Sequence, residues 1–285
     1  MKADKIINKL DMDFIRWGMS DEWDLSEISD YVTDNFKRLS MGLVLNNTQE
    51  INKVYTSTFP DEKVLDYILD SGVTNVMLFS HHAQIWDPTL SGFPFRNIDR
   101  KYLEEMKNRA ISFYVLHLPL DCNGEYSTTY NLSKALDIQY KDEFAEYFGV
   151  KVGVIGITEY NKLDELGKKC EKAVGHRIKL WNYGSNDIKN NFVSLVAGGG
   201  NISEEIKYVA DKGINVYITG VTMSVKNYEP SIHFHKTAEE LNVNVLGLTH
   251  YSSEKFAPMK MVDYFKDMGL DSEFIEGINN LNDLV

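Results

Sequence analysis

The sequence predicts an α/β protein of two similar α/β lobes related by an internal repeat, with a metal site between them. Three observations carry this expectation. Short apolar runs such as Val76-Met77-Leu78-Phe79-Ser80 alternate with amphipathic helical stretches, as in β-α-β units. The order strand, turn, amphipathic helix, glycine, buried strand runs from Val54 to Ser80 and again from Phe192 to Thr219. Three strands run into histidine: His81-His82, His117 and His250, the last two as His-x-x-x-carboxylate with Asp121 and Glu254.

Length and charge narrow the function. The chain has 285 residues, enough for one large domain or two small ones, read here as 1–125 for a first lobe and 126–285 for a second whose C-terminal helix can pack back on the first. An apolar fraction of 43% and a charged fraction of 25% read as globular. A net charge of -12 disfavours nucleic acid bound through a broad basic face. No apolar run approaches the ~20 residues of a membrane helix, and no apolar core of a signal peptide follows Met1-Lys2-Ala3-Asp4-Lys5. Cys122 and Cys170 form no C-x-x-C pair, so a disulfide framework and a cysteine zinc site are unsupported. The expected location is the cytoplasm.

Residues 1–42 read as two helical pieces, the second capped at Asp24 or Ser26 and carrying Ile28, Val32, Phe36 and Leu39. Trp17 and Trp23 between them read as core or lobe contacts. Strands follow at 42–46 and 54–59, then a helix opened by Pro60-Asp61 and ended by Gly72. After 76–80 come a loop, a helix at 98–109 and the strand 111–116. Helices are expected from Asn131 and over 141–148, a strand at 152–157, a helix with Leu163, Leu166 and Cys170, and a strand at 176–181. The strand 192–196 leads into Gly198-Gly199-Gly200, a packing turn or an anion cradle. Asn201 and Glu204 offer a capping-box start to the next helix. Strands at 216–219 and 243–248 precede a helical stretch over 255–285 that suits lobe packing or an oligomer contact, with Pro258 near its start.

Strand ends are where ligands bind in α/β sheets, and neutral imidazole is the commonest metal ligand. Four of the seven histidines sit at these ends. Imidazoles with carboxylates suit zinc, iron, manganese, cobalt or nickel, and outnumber what one tetrahedral ion requires. Two neighbouring ions can activate one water. His176 reads as structural or exposed, and His233 and His235 as pocket imidazoles or exposed helix residues.

These residues resemble the dinuclear metal centre proteins, the GTP cyclohydrolase 1 type 2 homologues, across nearly the whole chain. Ser80-His81-His82 with Ile85-Trp86 resembles the family's S-H-H-P-x-[IF]-[FW]. His117-Leu118-Pro119-Leu120-Asp121 resembles H-x-x-L-D, and Asn131-Leu132 loosely resembles N-x-x-L. Gly198-Gly199-Gly200 and Tyr217-Ile218-Thr219-Gly220 resemble G-G-x-G and Y-I-T-G. The stretch from Gly247 to Glu254 resembles G-H-Y-x-x-E.

The resemblance implies that His81, His82, Asp121, His250 and Glu254 ligate two divalent ions per chain, zinc, iron or manganese. It places His117 as pocket lining or a proton donor, and implies a ring-shaped homohexamer. Four departures concern the pocket lining rather than the ligands. Met41-Gly42-Leu43 is all that remains of D-N-x-G-L, Ala83 replaces proline, Val221 stands where an acid often does, and Thr249 separates Leu248 from His250.

The expected function is metal-dependent hydrolysis of a small, nucleotide-like molecule, with His117 or His235 moving protons. The alternative is a non-catalytic metal carrier or adaptor.

Overall fold

The computed structural model describes residues 1–222 and 229–284. The elements in chain order are α1 (Ala3–Phe14), α2 (Asp34–Leu39), β1 (Gly42–Leu45), β2 (Lys53–Ser57), α3 (Glu62–Asp70), β3 (Val76–Ser80), β4 (Ile85–Trp86), β5 (Phe95–Arg96), α4 (Arg100–Asn108), β6 (Ile111–Val115) and α5 (Leu118–Asp121). There follow α6 (Thr128–Ala135), β7 (Gln139–Tyr147), β8 (Val150–Ile157), α7 (Leu163–Val174), β9 (Lys179–Trp181), β10 (Phe192–Val196), α8 (Ser203–Asp211), β11 (Val216–Thr219), α9 (Glu229–Glu240), β12 (Asn244–Gly247), α10 (His250–Glu254), α11 (Phe256–Asp267) and β13 (Asp271–Phe274). The fold is mixed α/β. Among the described residues, no helix is long and apolar enough to cross a membrane.

The chain forms two compact units. The first comprises Met1–Asp87, Phe95–Asp121 and Ala257–Ile278. Its sheet runs β1-β6-β3-β2-β13, with β6, β3, β2 and β13 parallel and β1 antiparallel. Strand side chains alternate between faces. Leu78 and Phe113 therefore enter a core with Phe36, Leu65, Ile68 and Leu103. Phe79 and Tyr114 stack on the other face, where Phe265 of α11 meets Phe79 edge-on.

The second unit comprises Pro88–Pro94, Cys122–Phe256 and Asn279–Val285. Its sheet runs β7-β8-β10-β11-β12-β9, parallel only from β10 to β12. Leu195, Ile218 and Leu246 pack with Leu132 and Leu166 in one core. Tyr217 and Val245 pack with Ile206, Val209 and Phe234 in a second.

Several expectations are corrected. Residues 141–148 do not form a helix; most of them belong to β7, which pairs with β8 over nearly its whole length. Their Glu, Lys and Ala favour helix, but positive φ at Phe148 and Gly149 turns the chain into a hairpin. The helix expected from Asp24 is interrupted, because Thr33 accepts a bond from the Phe36 amide and starts α2 afresh. The stretch 255–285 is not one helix: Gly269, at φ +81, ends it, and β13 then joins the sheet beside β2. Helix α8 starts after Ile202 without a side-chain cap, so Asn201 and Glu204 form no capping box there. Trp17 is fully exposed in the chain rather than a core residue.

Candidate metal centre

In the first unit, the histidines follow directly from the sheet. Beyond β3, the His81 amide donates to the Ser57 carbonyl at 3.2 Å and the His82 amide to the Thr58 carbonyl at 3.0 Å. The backbone is thus still held where the chain turns. His81 Nδ1 donates to the Leu116 carbonyl at 3.0 Å, which leaves the lone pair on Nε2. Nε2 lies 3.4 Å from Asp121 Oδ1.

His82 is fully buried between two phenyl rings, Phe59 at 4.3 Å and Phe95 at 5.5 Å, both stacked. Trp23 stands edge-on to His82 and to His117. So Trp23 braces the site, whereas sequence reading made it only a packing residue.

His117 follows β6, and α5 then carries the chain one turn so that Asp121 lies on the same face. The Asp121 amide donates to the His117 carbonyl at 3.0 Å, and His117 Nε2 lies 3.5 Å from Asp121 Oδ2. One ring nitrogen from each of His81, His82 and His117 lies within 4.8 Å of the others.

A residue that sequence reading missed completes this arrangement. Asp21 accepts from His117 Nδ1 at 2.7 Å and from the Leu118 amide at 3.2 Å. Burial opposes ionisation of Asp21, but the His117 charge and hydrogen bond hold its carboxyl below the ordinary range. Burial likewise opposes protonation of His117, but Asp21 and Asp121 outweigh it and raise its pKa. Asp21 lies among other acids with no periodic pattern, so nothing in the sequence marks it.

In the second unit, β12 leads into α10. Thr249 accepts from the Ser252 amide at 3.0 Å, and Ser252 Oγ accepts from the Thr249 amide at 3.1 Å. The residue that looked like an insertion is therefore a helix cap. Helix α10 puts His250 and Glu254 one turn apart, with Nε2 and Oε1 at 3.2 Å and both side chains buried.

Gly198 packs directly on this pair. At φ +68, a Cβ there would collide with Glu254 Oε1 and lie 3.3 Å from His250 Nε2. The glycine turn thus gives close packing beside the donors.

His235 lies on α9 and belongs to none of the donor groups. Its Nε2 donates to the Thr222 carbonyl and its Nδ1 accepts from the Tyr183 hydroxyl at 3.1 Å. Burial lowers its pKa. His233 is exposed and His176 half-buried.

These residues fit divalent metal. The donors are imidazole and carboxylate with no thiolate, the set that suits zinc, iron or manganese. The Leu116 carbonyl orients His81 as a supporting acceptor does for a ligating imidazole. Gly198 lets the backbone approach Glu254 and His250 more closely than any other residue would allow.

The model of the Duf34/NIF3 family (NGG1p interacting factor 3) matches residues 34–280. A curated relative from Pyrococcus horikoshii, named GTP cyclohydrolase 1 type 2 homolog, is 30% identical over 245 residues, 84% of this chain and 90% of the relative. One of the same name from Archaeoglobus fulgidus is 28% identical over 262 residues, 90% and 96% of the two chains. Among solved structures, protein ybgI, of unknown function, has TM-score 0.74 at 20% identity, covering 98% of this chain and 99% of its own. TTHA1606 from Thermus thermophilus has TM-score 0.70 at 21% identity, covering 99% and 100%. Reduced HcgD from Methanocaldococcus jannaschii has TM-score 0.67 at 23% identity, covering 97% of each. At these identities the structures share the fold.

Proposed function

From the premise that this chain belongs to the Duf34/NIF3 family, we propose that it is a metal-dependent hydrolase of small, nucleotide-like molecules. The observation that carries the reading is the imidazole cluster of His81, His82 and His117 against Asp121. The relatives' name, GTP cyclohydrolase 1 type 2 homolog, supports the substrate class. We assign His81, His82, Asp121, His250 and Glu254 to hold two divalent ions, zinc, iron or manganese. A bound ion of this kind acts as a Lewis acid and lowers the pKa of water within its reach.

The chain's own residues supply the rest. Asp21 keeps a proton on His117 Nδ1 and so turns Nε2 toward Asp121. His117 Nε2 is then the atom that takes a proton from water or returns one to a leaving group. His235 has both ring nitrogens engaged within the second unit, so His117 is the better placed of the two imidazoles. Phe59, Phe95 and Trp23 keep His82 immobile and away from solvent. A ring-shaped homohexamer is the assembly we expect, and light scattering on the purified protein tests it.

The function is tested by elemental analysis of protein purified without chelators, followed by a screen against nucleotides and phosphoesters with defined metals. The expected result is about two ions per chain and a hydrolysis that chelation abolishes and metal restores. Absence of uptake from zinc, iron and manganese solutions overturns the reading. Metal held without turnover, and passed to an acceptor, replaces it with a carrier.

A further inference from the structure

We propose that Asp283 is a positioning residue for the His250 and Glu254 donor pair. The inference rests on reading these two side chains as metal donors. The family match ends at residue 280, so Asp283 lies outside it.

Helix α10 has only five residues. A helix of that length does not sustain itself, because nucleation is costly and few bonds repay it. Its geometry, and with it the 3.2 Å approach of His250 Nε2 to Glu254 Oε1, must be imposed from outside. The constraints on it can be traced. The Ser252 amide is taken by Thr249 Oγ1 and the Ser253 amide by the Thr249 carbonyl. On the glycine side, Ser253 Oγ accepts from the Gly198 amide at 2.9 Å and donates to the His250 carbonyl at 3.0 Å.

The amide of His250 itself is taken by Asp283 Oδ2, at 2.8 Å. Asp283 is fully buried. A buried carboxylate is costly unless it accepts hydrogen bonds, and here it sits at the positive end of the helix that carries the donors. The segment bearing it is tied down twice more. Asn279 Oδ1 accepts from Thr249 Oγ1, and the Asp283 carbonyl lies 3.5 Å from Thr222 Oγ1. So α10 is held by the Gly198 turn and by the 279–283 segment. A charge-assisted bond at the His250 amide fixes the residue whose ring must point at metal.

The test compares Asp283→Ala and Asp283→Asn with the parent, using zinc alone as the probe in competition with a chelator. The Ala variant is expected to bind zinc roughly 10–100-fold more weakly, the usual effect of removing a supporting partner from a metal ligand. The Asn variant keeps an acceptor oxygen without the charge, and a smaller loss is expected. In a background carrying both His250→Ala and Glu254→Ala, Asp283→Ala is expected to add little, because the donors that it positions have gone. Parent-like affinity of the Ala variant overturns the proposal. An equal loss in that doubly substituted background also overturns it, since a merely structural role would act there too. Should the Ala variant not fold, the Asn variant decides: weaker zinc binding at an unchanged thermal midpoint supports the proposal, and parent-like binding overturns it. If the parent binds no zinc, the metal reading itself fails. Hydrogen exchange in the metal-free protein then still decides this inference. Faster exchange at the His250 amide than at β10 in Asp283→Ala supports it, and unchanged exchange overturns it.

Discussion

At the scale of single residues, the two ring nitrogens of His117 have different duties. Nδ1 faces a buried carboxylate and Nε2 faces Asp121. Replacing Asp21 by Asn removes the charge that most favours protonated His117 while keeping an oxygen in place. The expected outcome is a lower His117 pKa, read from imidazole NMR shifts in the metal-free protein. An unchanged titration would mean that Asp121 alone supports the charge. His117→Ala tests the proposed proton role. It should keep most of the metal and lose roughly 10²–10⁴-fold in turnover, the range for a general acid or base. If it loses metal as fully as His250→Ala, His117 is itself a ligand and the assignment fails.

At the scale of elements, the Gly198 turn and α10 act as one piece. Gly198→Ala would place a methyl group against Glu254 Oε1 and force an L residue to φ +68. The backbone effect alone costs about 1–2 kcal/mol. The collision should also weaken zinc binding, and in a Glu254→Ala background that second effect should shrink. Denaturant unfolding and chelator competition on the four proteins would show this. Equal zinc binding by parent and Gly198→Ala would show that Glu254 moves without consequence. The parts of the fold that were legible share a physical signature. β2, β3, β6, β10, β11 and β12 are buried runs, and burial selects the β-branched and apolar residues that mark a strand. β7 was not legible, because it is exposed along most of its length and its composition answers to solvent rather than to the sheet. β13 was hidden by its short, polar Asp-Ser-Glu-Phe sequence and by a helix before it. The histidines at the strand ends could be read from motif and place, as could Asp121 and Glu254. Asp21 and Asp283 could not, because each reaches its partner across many intervening residues and lies in no periodic segment.

At the scale of the molecule, an acidic chain carries a pH dependence set by the acids it buries. Glu205 is the clearest case. Burial pushes its carboxyl up to about 7, against a hydrogen bond with Tyr217 that works the other way. The Tyr217 hydroxyl lies 2.5 Å from both the Gly200 carbonyl and Glu205 Oε2. One hydroxyl proton cannot serve both oxygens. Donation to Glu205 favours its carboxylate, whereas donation to Gly200 leaves the Glu205 contact to the carboxylic acid; burial outweighs the first and favours the acid. The unfolded chain releases this proton near 4.5 and the folded chain near 7. The folded state therefore binds more protons between those values, and stability falls as pH rises through that window. The contribution is complete below about pH 4.5 and gone above about pH 7, a swing on the order of 3 kcal/mol at about 1.36 kcal/mol per pH unit. Glu205→Gln keeps a donor toward Tyr217 and cannot ionise. Urea unfolding of parent and variant at about pH 5 and about pH 8 is expected to show the variant gaining relative to the parent by ~1–3 kcal/mol at the higher pH. An identical difference at the two pH values would mean that Glu205 is already ionised in the fold, and that Tyr217 donates to it rather than to Gly200.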